Sequence, residues 1–297
     1  FTGSADTAAL IRSHAAVTQR SVRVNIEADS VNSALLLEGN APGSEAFALL
    51  VKEVAREMTQ KSGQKCTAIR RIFVPEALYG AAAEAISARL AKTTVGNPRN
   101  EAVRMGALVS RAQLNAVREG LARLQAQAET LHDGARHAPV DADAAIACCV
   151  GPTLLGTRNA AGSDASDRIH DTEVFGPVAI LEVFDEFEEA IAAVNASKFG
   201  LQAGVFTNDL RRAYQAWDEL EVGGVVIGDV PSWRVDHMPY GGVKESGLGR
   251  EGVRFAIEDM TEIRLMVLNR LCDPESKLGV LRWVQTVALR SEERRVG

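Results

Sequence analysis

Apolar and polar residues follow two different periods along this chain. In residues 44–61, apolar side chains recur at i, i+3, i+4 and i+7 with charged side chains between them, which predicts an amphipathic helix. Ser44 is suited to cap the start of this helix, and Gly63 is suited to end it. Residues 69–74 alternate and are rich in β-branched side chains, which predicts a strand.

The same two periods predict further helices and strands. Strands are predicted at residues 22–27, 31–37, 178–183, 201–207, 223–228 and 263–268. Helices are predicted at residues 76–92, 111–128, 188–194 and 211–219. A glycine turn at Gly3 and Ser4 precedes one more helical face, which includes Ala8. Helices and strands that follow one another in this way are typical of an α/β fold.

Composition and charge argue against several classes of function. The chain has 297 residues, of which 46% are hydrophobic, so it can form one large domain or two smaller ones. A net charge of −6 without a basic stripe argues against nucleic acid as a partner. No apolar run approaches the roughly 18 residues of a membrane span. The four cysteines show no CxxC spacing, so we expect no metal site and no disulfide framework, as suits the cytoplasm.

One cysteine has a position suited to chemistry. Cys66 lies in the turn between the first predicted helix and strand, with Lys65 beside it. A loop gives a substrate access to the thiol, and a nearby cation stabilises the thiolate. The alternative interpretation is a small buried apolar residue, which is the commoner role of cysteine.

Two carboxylates and an aromatic residue are further candidates. Glu27 ends a predicted strand, where α/β folds place chemistry, or else it is a solvated loop carboxylate. Glu173 and Phe175 together could hold a ribose and a flat ring, or else they are an edge-strand glutamate and a core phenylalanine. The turn at Gly3 could offer backbone N–H groups to a pyrophosphate at the start of a helix.

Four motifs, in this order, resemble those of the aldehyde dehydrogenase superfamily. They are Glu27, Gly63-Gln64-Lys65-Cys66-Thr67, Glu173-Val174-Phe175-Gly176-Pro177 and Pro239-Tyr240-Gly241-Gly242-Val243-Lys244-Glu245-Ser246-Gly247. The resemblance covers residues 1–269. It implies an α/β fold with an aldehyde dehydrogenase-like catalytic domain and the end of a Rossmann-type cofactor domain, truncated at the N-terminus. It also implies that a small aldehyde is oxidised to an acid with NAD or NADP.

The resemblance implies a role for each candidate. Cys66 would be the nucleophile, and Glu27 the general base that activates water for thioester hydrolysis. The residues implied at the cofactor are Gly3, Ser4, Glu173 and Phe175. Of these, Glu173 would bind the nicotinamide ribose and Phe175 would support the ring. The family usually has another glycine near the position of Ala8, so the phosphate contact departs from the usual pattern here.

The resemblance also implies a domain organisation. Residues 1–29 would end the dinucleotide-binding domain, and residues 30–259 would form the catalytic domain. Residues 260–270 would form an oligomerisation strand, which leads us to expect a homo-oligomer when the protein is full length. Residues 271–297 would be a tail outside the family, and the charged end of this tail predicts disorder. A second oxyanion donor, an Asn, would lie upstream of Phe1, so we expect the chain as given to be inactive by itself.

The motifs that bear on the substrate are divided between two subfamilies. Residues 1–183 resemble the semialdehyde dehydrogenases of phenylacetyl-CoA and benzoyl-CoA degradation, whose substrates are CoA-linked. Residues from 231 onward resemble dehydrogenases of small polar or anionic aldehydes. Either this is a subfamily with mixed features, or two related sequences are joined near residue 184.

Two other functions stay open at this point. One is a CoA-acylating dehydrogenase, although that chemistry does not need a water-activating base such as Glu27. The other is a non-catalytic subunit that uses the strand at residues 263–268 for assembly, although Cys66 and Glu27 would then have no use. Four residues could hold an anionic substrate group, although we favour solvated or paired surface charges for each: Arg70, Arg71, Arg234 and His237.

Overall fold

The computed structural model of the protein describes residues 1–158 and 169–260. Its helices are α1 (Ala5–Ser13), α2 (Ala15–Thr18), α3 (Glu45–Thr59), α4 (Tyr79–Leu90), α5 (Arg111–Gln125), α6 (Phe187–Asn195) and α7 (Leu210–Glu219), and residues 253–260 are also helical. Its strands are β1 (Ile26–Glu27), β2 (Asn32–Leu36), β3 (Ile69–Pro75), β4 (Glu129–His132), β5 (Thr153–Thr157), β6 (Val178–Phe184), β7 (Phe199–Gly200), β8 (Gln202–Phe206), β9 (Gly224–Ile227), β10 (Val243–Lys244) and β11 (Gly247–Leu248). The predicted strand at residues 263–268 and the predicted tail at residues 271–297 lie outside the described residues.

A seven-stranded sheet forms the centre of the fold. Its strand order is β4-β5-β6-β3-β2-β8-β9, and every neighbouring pair is parallel except β4 with β5. Parallel neighbours need crossover connections, which α3 provides between β2 and β3 and α7 provides between β8 and β9. The predicted α/β fold class is therefore confirmed. Two short antiparallel pairs, β1 with β11 and β7 with β10, lie outside this sheet.

Alternate residues of the central strands pack on opposite faces of the sheet. In β2, Ala34 and Leu36 belong to a core with α3 and α4. Leu35 and Leu37 belong instead to a core with α6 and α7. This is the period-2 geometry of a strand, and helices cover both faces, so every residue of β2 is buried.

A third core holds the segment that precedes β6. Leu114 and Val117 of α5 pack there with Val174, Val178 and Ile180. Val174 is buried, and its two neighbours in the sequence are candidate site residues. The packing of Val174 therefore keeps those two neighbours next to α5.

Residues before and after position 184 share one core. Leu35 and Phe73 pack with Ile191 and Val205. In the sheet, β6 pairs with β3, and β8 pairs with β2. The segments on the two sides of residue 184 are thus folded together in one core and one sheet.

Several elements differ from the predictions made from the sequence, three of them at strands of the site or the central sheet. The strand predicted at residues 22–27 is confined to Ile26 and Glu27, because only these two residues pair with β11. Neither β4 nor β5 was predicted. β4 is a largely exposed edge strand, and β5 is an apolar run of five residues that periodicity alone does not distinguish from other buried segments.

The chain forms two compact units. The first, Phe1–Arg234 with Gly241–Gly249, contains the central sheet. The second consists of Val235–Tyr240 and Arg250–Gly297, of which residues up to 260 are described. In this second unit, the backbone groups of Tyr240 and Glu251 exchange two hydrogen bonds, at 3.1 and 2.5 Å.

No helix within residues 1–158 and 169–260 has the length and apolar character needed to cross a membrane.

Candidate active site

A cavity of about 270 Å³ brings the predicted site residues together. Its lining consists of Thr2, Gly3, Ser4, Glu27, Ala28, Asp29, Cys66, Gln113, Glu173 and Phe175. All six residues singled out from the sequence are among them, although they come from four separate stretches of chain. The cavity therefore places a thiol, carboxylates and an aromatic ring on one surface.

The turn that carries Cys66 has a constrained backbone. After α3, Lys61 and Ser62 adopt left-handed conformations with φ of 53° and 56°, and Gly63 follows with φ of 71°. A Cβ atom on Gly63 would overlap the carbonyl group of Gly176, so the close approach of these two segments requires glycine. The predicted cap of α3 is confirmed, because the backbone N–H of Phe47 donates to Ser44 Oγ at 3.2 Å.

The backbone carbonyl of Cys66 is held by the segment that leads into β2. Ser30 Oγ donates a hydrogen bond to this oxygen, and Asn32 Nδ2 donates another at 2.6 Å. Ser30 and Asn32 are both buried. Cys66 itself is a free thiol and is partly exposed, so the backbone is fixed while the side chain stays reachable.

The charge of Lys65, the cation expected beside the thiol, is paired with a carboxylate. Lys65 Nζ lies 2.8 Å from both carboxylate oxygens of Glu57 and donates a further hydrogen bond to Gln60 at 3.2 Å. The Lys65 charge is thus neutralised by a buried carboxylate on α3. Adjacency in the chain placed Lys65 next to Cys66, and the structure adds the carboxylate that its charge faces.

The arginines after Cys66 are also not surface charges. Arg71 is buried and donates to both oxygens of the buried Glu182, at 2.6 and 2.8 Å. Arg70 is buried too, and its contacts are described below. Only Arg234 and His237 are exposed, as expected for surface charges. Burial of Arg71 in an ion pair excludes it as a residue that binds substrate.

Glu27 is fixed by backbone pairing on two sides. On one side, the N–H of Gly3 donates to the carbonyl of Glu27 at 3.1 Å, and the N–H of Glu27 donates to the carbonyl of Phe1 at 2.9 Å. On the other side, Glu27 pairs with Gly247 of β11. A Cβ atom on Gly247 would lie 2.5 Å from the carbonyl oxygen of Ile26, so this pairing favours glycine. The end of the motif from Pro239 to Gly247 therefore packs closely against the strand of Glu27.

Ser4 begins α1 and so links the glycine turn to a helix. Its Oγ accepts a hydrogen bond from the backbone N–H of Thr7 at 3.3 Å. The backbone N–H of Gly3 is hydrogen-bonded to the carbonyl of Glu27, as described above, so the start of α1 lies next to the candidate base. The positive end of a helix attracts anionic groups, which is the chemistry expected of this turn.

The carboxyl group of Glu173 contacts a second carboxyl group, that of Asp29, in the lining of the cavity. Glu173 Oε1 accepts a hydrogen bond from the backbone N–H of Ser30 at 3.3 Å, and its side chain also hydrogen-bonds with that of Asp29. Burial raises the pKa of Glu173 to about 7; Asp29 adds to the rise, and the positive charge of Arg70 opposes it. Two carboxyl groups in hydrogen-bond contact share a proton, because both cannot be ionised at that distance without strong repulsion.

Phe175 is positioned by a residue that the sequence did not indicate. Gln113, in the first turn of α5, donates from Nε2 to the backbone carbonyl of Phe175 at 2.8 Å. The helix itself begins at Ser110, whose Oγ accepts from the N–H of Gln113 at 3.1 Å. The segment from Glu173 to Phe175 is thus held by a polar contact as well as by the burial of Val174.

A comparison with known proteins gives the family. The sequence profile of the Aldehyde dehydrogenase family matches residues 1–266. The chain belongs to the aldehyde dehydrogenase family. The chain is 50% identical over 210 residues to the 3,4-dehydroadipyl-CoA semialdehyde dehydrogenase of Aromatoleum evansii, in an alignment that covers 70% of the chain and 40% of the relative. It is 36% identical over 269 residues to the 3-sulfolactaldehyde dehydrogenase of Priestia aryabhattai, which covers 91% of the chain and 52% of the relative.

A solved aldehyde dehydrogenase structure has the same fold. The glyceraldehyde-3-phosphate dehydrogenase of Methanocaldococcus jannaschii, in complex with NADP, superposes with a TM-score of 0.74 at 30% sequence identity. The alignment covers 88% of this chain and 52% of that structure. The chain therefore spans about half the length of these proteins that it matches.

The chemistry of the cavity fits a nicotinamide nucleoside. Carboxyl oxygens such as those of Glu173 can accept hydrogen bonds from ribose hydroxyls, and the ring of Phe175 offers an apolar surface to a flat ring. Gly3 and Ser4 add the start of α1 on the same cavity wall. The residues present thus suit the cofactor class that the family uses.

Several residues of the site were missed from the sequence. Asp29 gave the clearest signal that could have been used, since it lies two positions after Glu27 in the same polar segment. Ser30, Asn32 and Gln113 showed no pattern that separates them from ordinary surface residues. In the described part of the chain, no cluster of three or more His, Cys, Asp or Glu side chains could hold a metal ion.

Proposed function

We propose that this chain carries the catalytic part of an NAD(P)+-dependent aldehyde dehydrogenase that oxidises a semialdehyde to the carboxylic acid. The observation that supports the proposal is the lining of one cavity by Cys66, Glu27 and the pair Glu173 and Phe175. A nucleophile, a base and a cofactor-binding pair are the groups that this reaction needs. Membership of the family supports the same reaction.

In the proposed reaction, Cys66 acts first. Its thiolate adds to the aldehyde carbon, a C–S bond forms, and backbone N–H groups of the turn can stabilise the negative oxygen. The chemistry that a bound nicotinamide supplies is acceptance of a hydride from that carbon. Glu173 would hold the ribose through its hydroxyls, and Phe175 would limit the position of the ring.

Glu27 acts in the second half of the reaction. Its carboxylate takes a proton from a water molecule, whose oxygen attacks the carbonyl carbon of the Cys66 thioester. The C–S bond breaks, the carboxylic acid leaves, and the thiolate is regenerated for the next cycle. A base that is buried and held by backbone pairing on both sides suits this role, because its position does not depend on the substrate.

The relatives support a narrower substrate class. The identity of 50% to a 3,4-dehydroadipyl-CoA semialdehyde dehydrogenase supports a CoA-linked semialdehyde as the substrate. From the resemblance of residues 1–183 to the semialdehyde dehydrogenases of phenylacetyl-CoA and benzoyl-CoA degradation, we further infer a place in aromatic catabolism. The similarity to an NADP complex supports NADP alongside NAD as the acceptor. From the family resemblance we further infer a cytoplasmic protein that assembles as a homo-oligomer when full length.

An assay of two polypeptides tests the proposal. One polypeptide is residues 1–297, and the other is the product of the longest reading frame that encodes them. Each is mixed with NAD+ or NADP+ and with CoA-linked or free semialdehydes. We expect reduced cofactor and free acid from the longer product, and no activity from residues 1–297 alone. Cys66→Ala should abolish the activity, whereas Cys148→Ala should not. Activity that survives Cys66→Ala would reject the proposal, and an acyl-CoA product formed only with added CoA would favour the acylating alternative.

A further inference from the structure

Arg70 is a buried residue between two segments that form the cavity. Its side chain is inaccessible, with a relative exposure of 4% for the residue. Nη2 donates to the carbonyl of Gly63 at 2.6 Å and to that of Lys65 at 3.4 Å, and both residues lie just before Cys66. Nη1 donates to the carbonyl of Gly176 at 2.6 Å, one residue after Phe175. One guanidinium therefore joins the turn of the nucleophile to the segment proposed for the cofactor.

The charge of Arg70 acts on the same two segments. Its electrostatic partners are Glu173, Glu57 and Cys66. Burial lowers the pKa of Arg70, and these three partners raise it, but a guanidinium stays protonated in proteins at neutral pH. The guanidinium carbon Cζ of Arg70 also lies 5.8 Å from the centre of the Phe175 ring.

Other charged groups near this centre are already paired with one another. Glu57 binds Lys65 through both oxygens and also accepts from Ser232 Oγ at 2.8 Å. Glu173 hydrogen-bonds with Asp29. Lys65 is paired with Glu57, whereas the hydrogen bonds of the Arg70 guanidinium in the described part of the chain go to backbone carbonyl groups, and Cys66 is one of its electrostatic partners.

We propose that Arg70 is a positioning residue for the oxidation: it holds the Cys66 turn against the segment of Glu173 and Phe175, and its charge favours the Cys66 thiolate. The inference rests on the proposed role of Cys66 as the nucleophile. Hydrogen bonds from one planar group to both segments restrict the relative position of the two segments. A cation beside a thiol lowers the free energy of the thiolate relative to the thiol.

The test measures the reactivity of Cys66 without substrate or cofactor. The chain is alkylated with iodoacetamide over a range of pH. Mass spectrometry then follows modification of the peptide that contains Cys66 separately from the peptides that contain the other cysteines. Arg70→Gln keeps a neutral hydrogen-bond donor but removes the charge. We expect its alkylation midpoint to lie about one pH unit above that of wild type, which makes Cys66 roughly tenfold less reactive near neutral pH.

Two further variants act as controls. Arg71→Gln removes a second buried guanidinium, whose hydrogen bonds in the described part of the chain go to Glu182 and to the carbonyl of Ala193. It should reduce stability without moving the alkylation midpoint. Lys65→Gln tests the other cation near the turn, and the same unchanged midpoint is expected. Arg70→Lys, which keeps the charge, should restore most of the reactivity that Arg70→Gln loses.

Two results would overturn the inference. One is an unchanged midpoint in Arg70→Gln when circular dichroism shows that the variant is folded. The other is a shift in Lys65→Gln instead, which would make Lys65 the cation that acts on the thiol. If Arg70→Gln does not fold, Arg70→Lys decides the matter, because it keeps the positive charge but loses the planar fork that reaches both segments. Its alkylation midpoint should stay near that of wild type, and a raised midpoint would reject the role of the charge. Because no aldehyde is present, failure of the proposed oxidation would leave these readings unaffected.

Discussion

Asn32 Nδ2 donates a hydrogen bond to the backbone carbonyl of Cys66 at 2.6 Å. The same nitrogen lies 3.0 Å from the carbonyl of Ala68, and Asn32 Oδ1 accepts from the N–H of Gln202 at 3.1 Å. One buried amide at the start of β2 thus connects the nucleophile turn with β3 and β8. The position of Cys66 depends on a residue 34 positions away in the chain.

Replacement of this amide should affect both stability and the thiol. Asn32→Leu leaves the partners of the amide without hydrogen bonds, so we expect a loss of about 2–4 kcal/mol in the free energy of unfolding, measured with urea. Asn40→Leu is the matched control, because Asn40 is also buried and donates to the carbonyls of Leu37 and Phe206 at 2.9 and 3.3 Å. Both variants should lose stability, and only Asn32→Leu should change the alkylation rate of Cys66. Equal alkylation rates would show that Asn32 does not position the thiol.

Removing one charge of the buried ion pair of Arg71 and Glu182 should destabilise the protein more than removing both charges. Arg71→Met leaves a fully buried carboxylate without its partner, so we expect a loss of about 3–5 kcal/mol. The double variant Arg71→Met with Glu182→Met removes both charges and should recover much of that loss. Urea denaturation of the two variants measures the difference. A double variant as unstable as Arg71→Met alone would contradict the assignment of the loss to an unpaired charge.

Glu173 should make the protein less stable as pH rises. The folded chain keeps a proton on Glu173 up to a pKa of about 7, whereas an unfolded glutamate loses it near pH 4.3. Between these values the folded state binds more protons, so the free energy of unfolding falls with increasing pH by about 3 kcal/mol. Urea midpoints at about pH 5 and about pH 8 measure this fall.

Two substitutions isolate the contribution of Glu173. Glu173→Gln should flatten the pH dependence, and Asp29→Asn should reduce it by removing the carboxyl group that raises the pKa of Glu173. Glu119→Gln, at an exposed position of α5, is the control and should leave the dependence as in wild type. A dependence that persists in Glu173→Gln would assign the fall in stability to another group.

Glu27→Gln should separate the two halves of the proposed reaction. In the longest reading frame, oxidation at Cys66 should continue while hydrolysis slows, because the amide cannot take a proton from water. We expect a burst of about one reduced cofactor per chain, followed by a rate lower by roughly 10²–10⁴-fold. The Cys66 peptide should gain the mass of the acyl group. Absence of both the burst and the adduct would argue against Glu27 as the base for thioester hydrolysis.

Local signals in the sequence were sufficient for the elements around the nucleophile. The helix period of residues 44–61 and the cap at Ser44 predicted α3, and the alternation of residues 69–74 predicted β3. Period and capping are properties of neighbouring residues, so no tertiary information is needed to recognise them. The motifs around Cys66, Glu27 and Glu173 likewise pointed to residues that line one cavity.

The partners of those residues could not be predicted in the same way. Asn32 reaches Cys66 across 34 positions, and Arg70 reaches Gly176 across 106. The side chain of Lys65 was expected beside the thiol, yet it binds Glu57 on the preceding helix. Side-chain direction depends on which groups the fold brings within reach, and adjacency in the chain does not determine it.

The sequence by itself determined the fold class, the main helices and strands, and the residues that gather at the cavity, because these follow from short-range periods and from compact motifs. Only the tertiary structure decided which charges are neutralised and which act on the site. It pairs Arg71 with Glu182, leaves Arg70 between the Cys66 turn and Gly176, and brings Asp29 to Glu173. Burial and the contact of distant segments set these electrostatic relationships, since the energy of a charge depends on its surroundings in three dimensions.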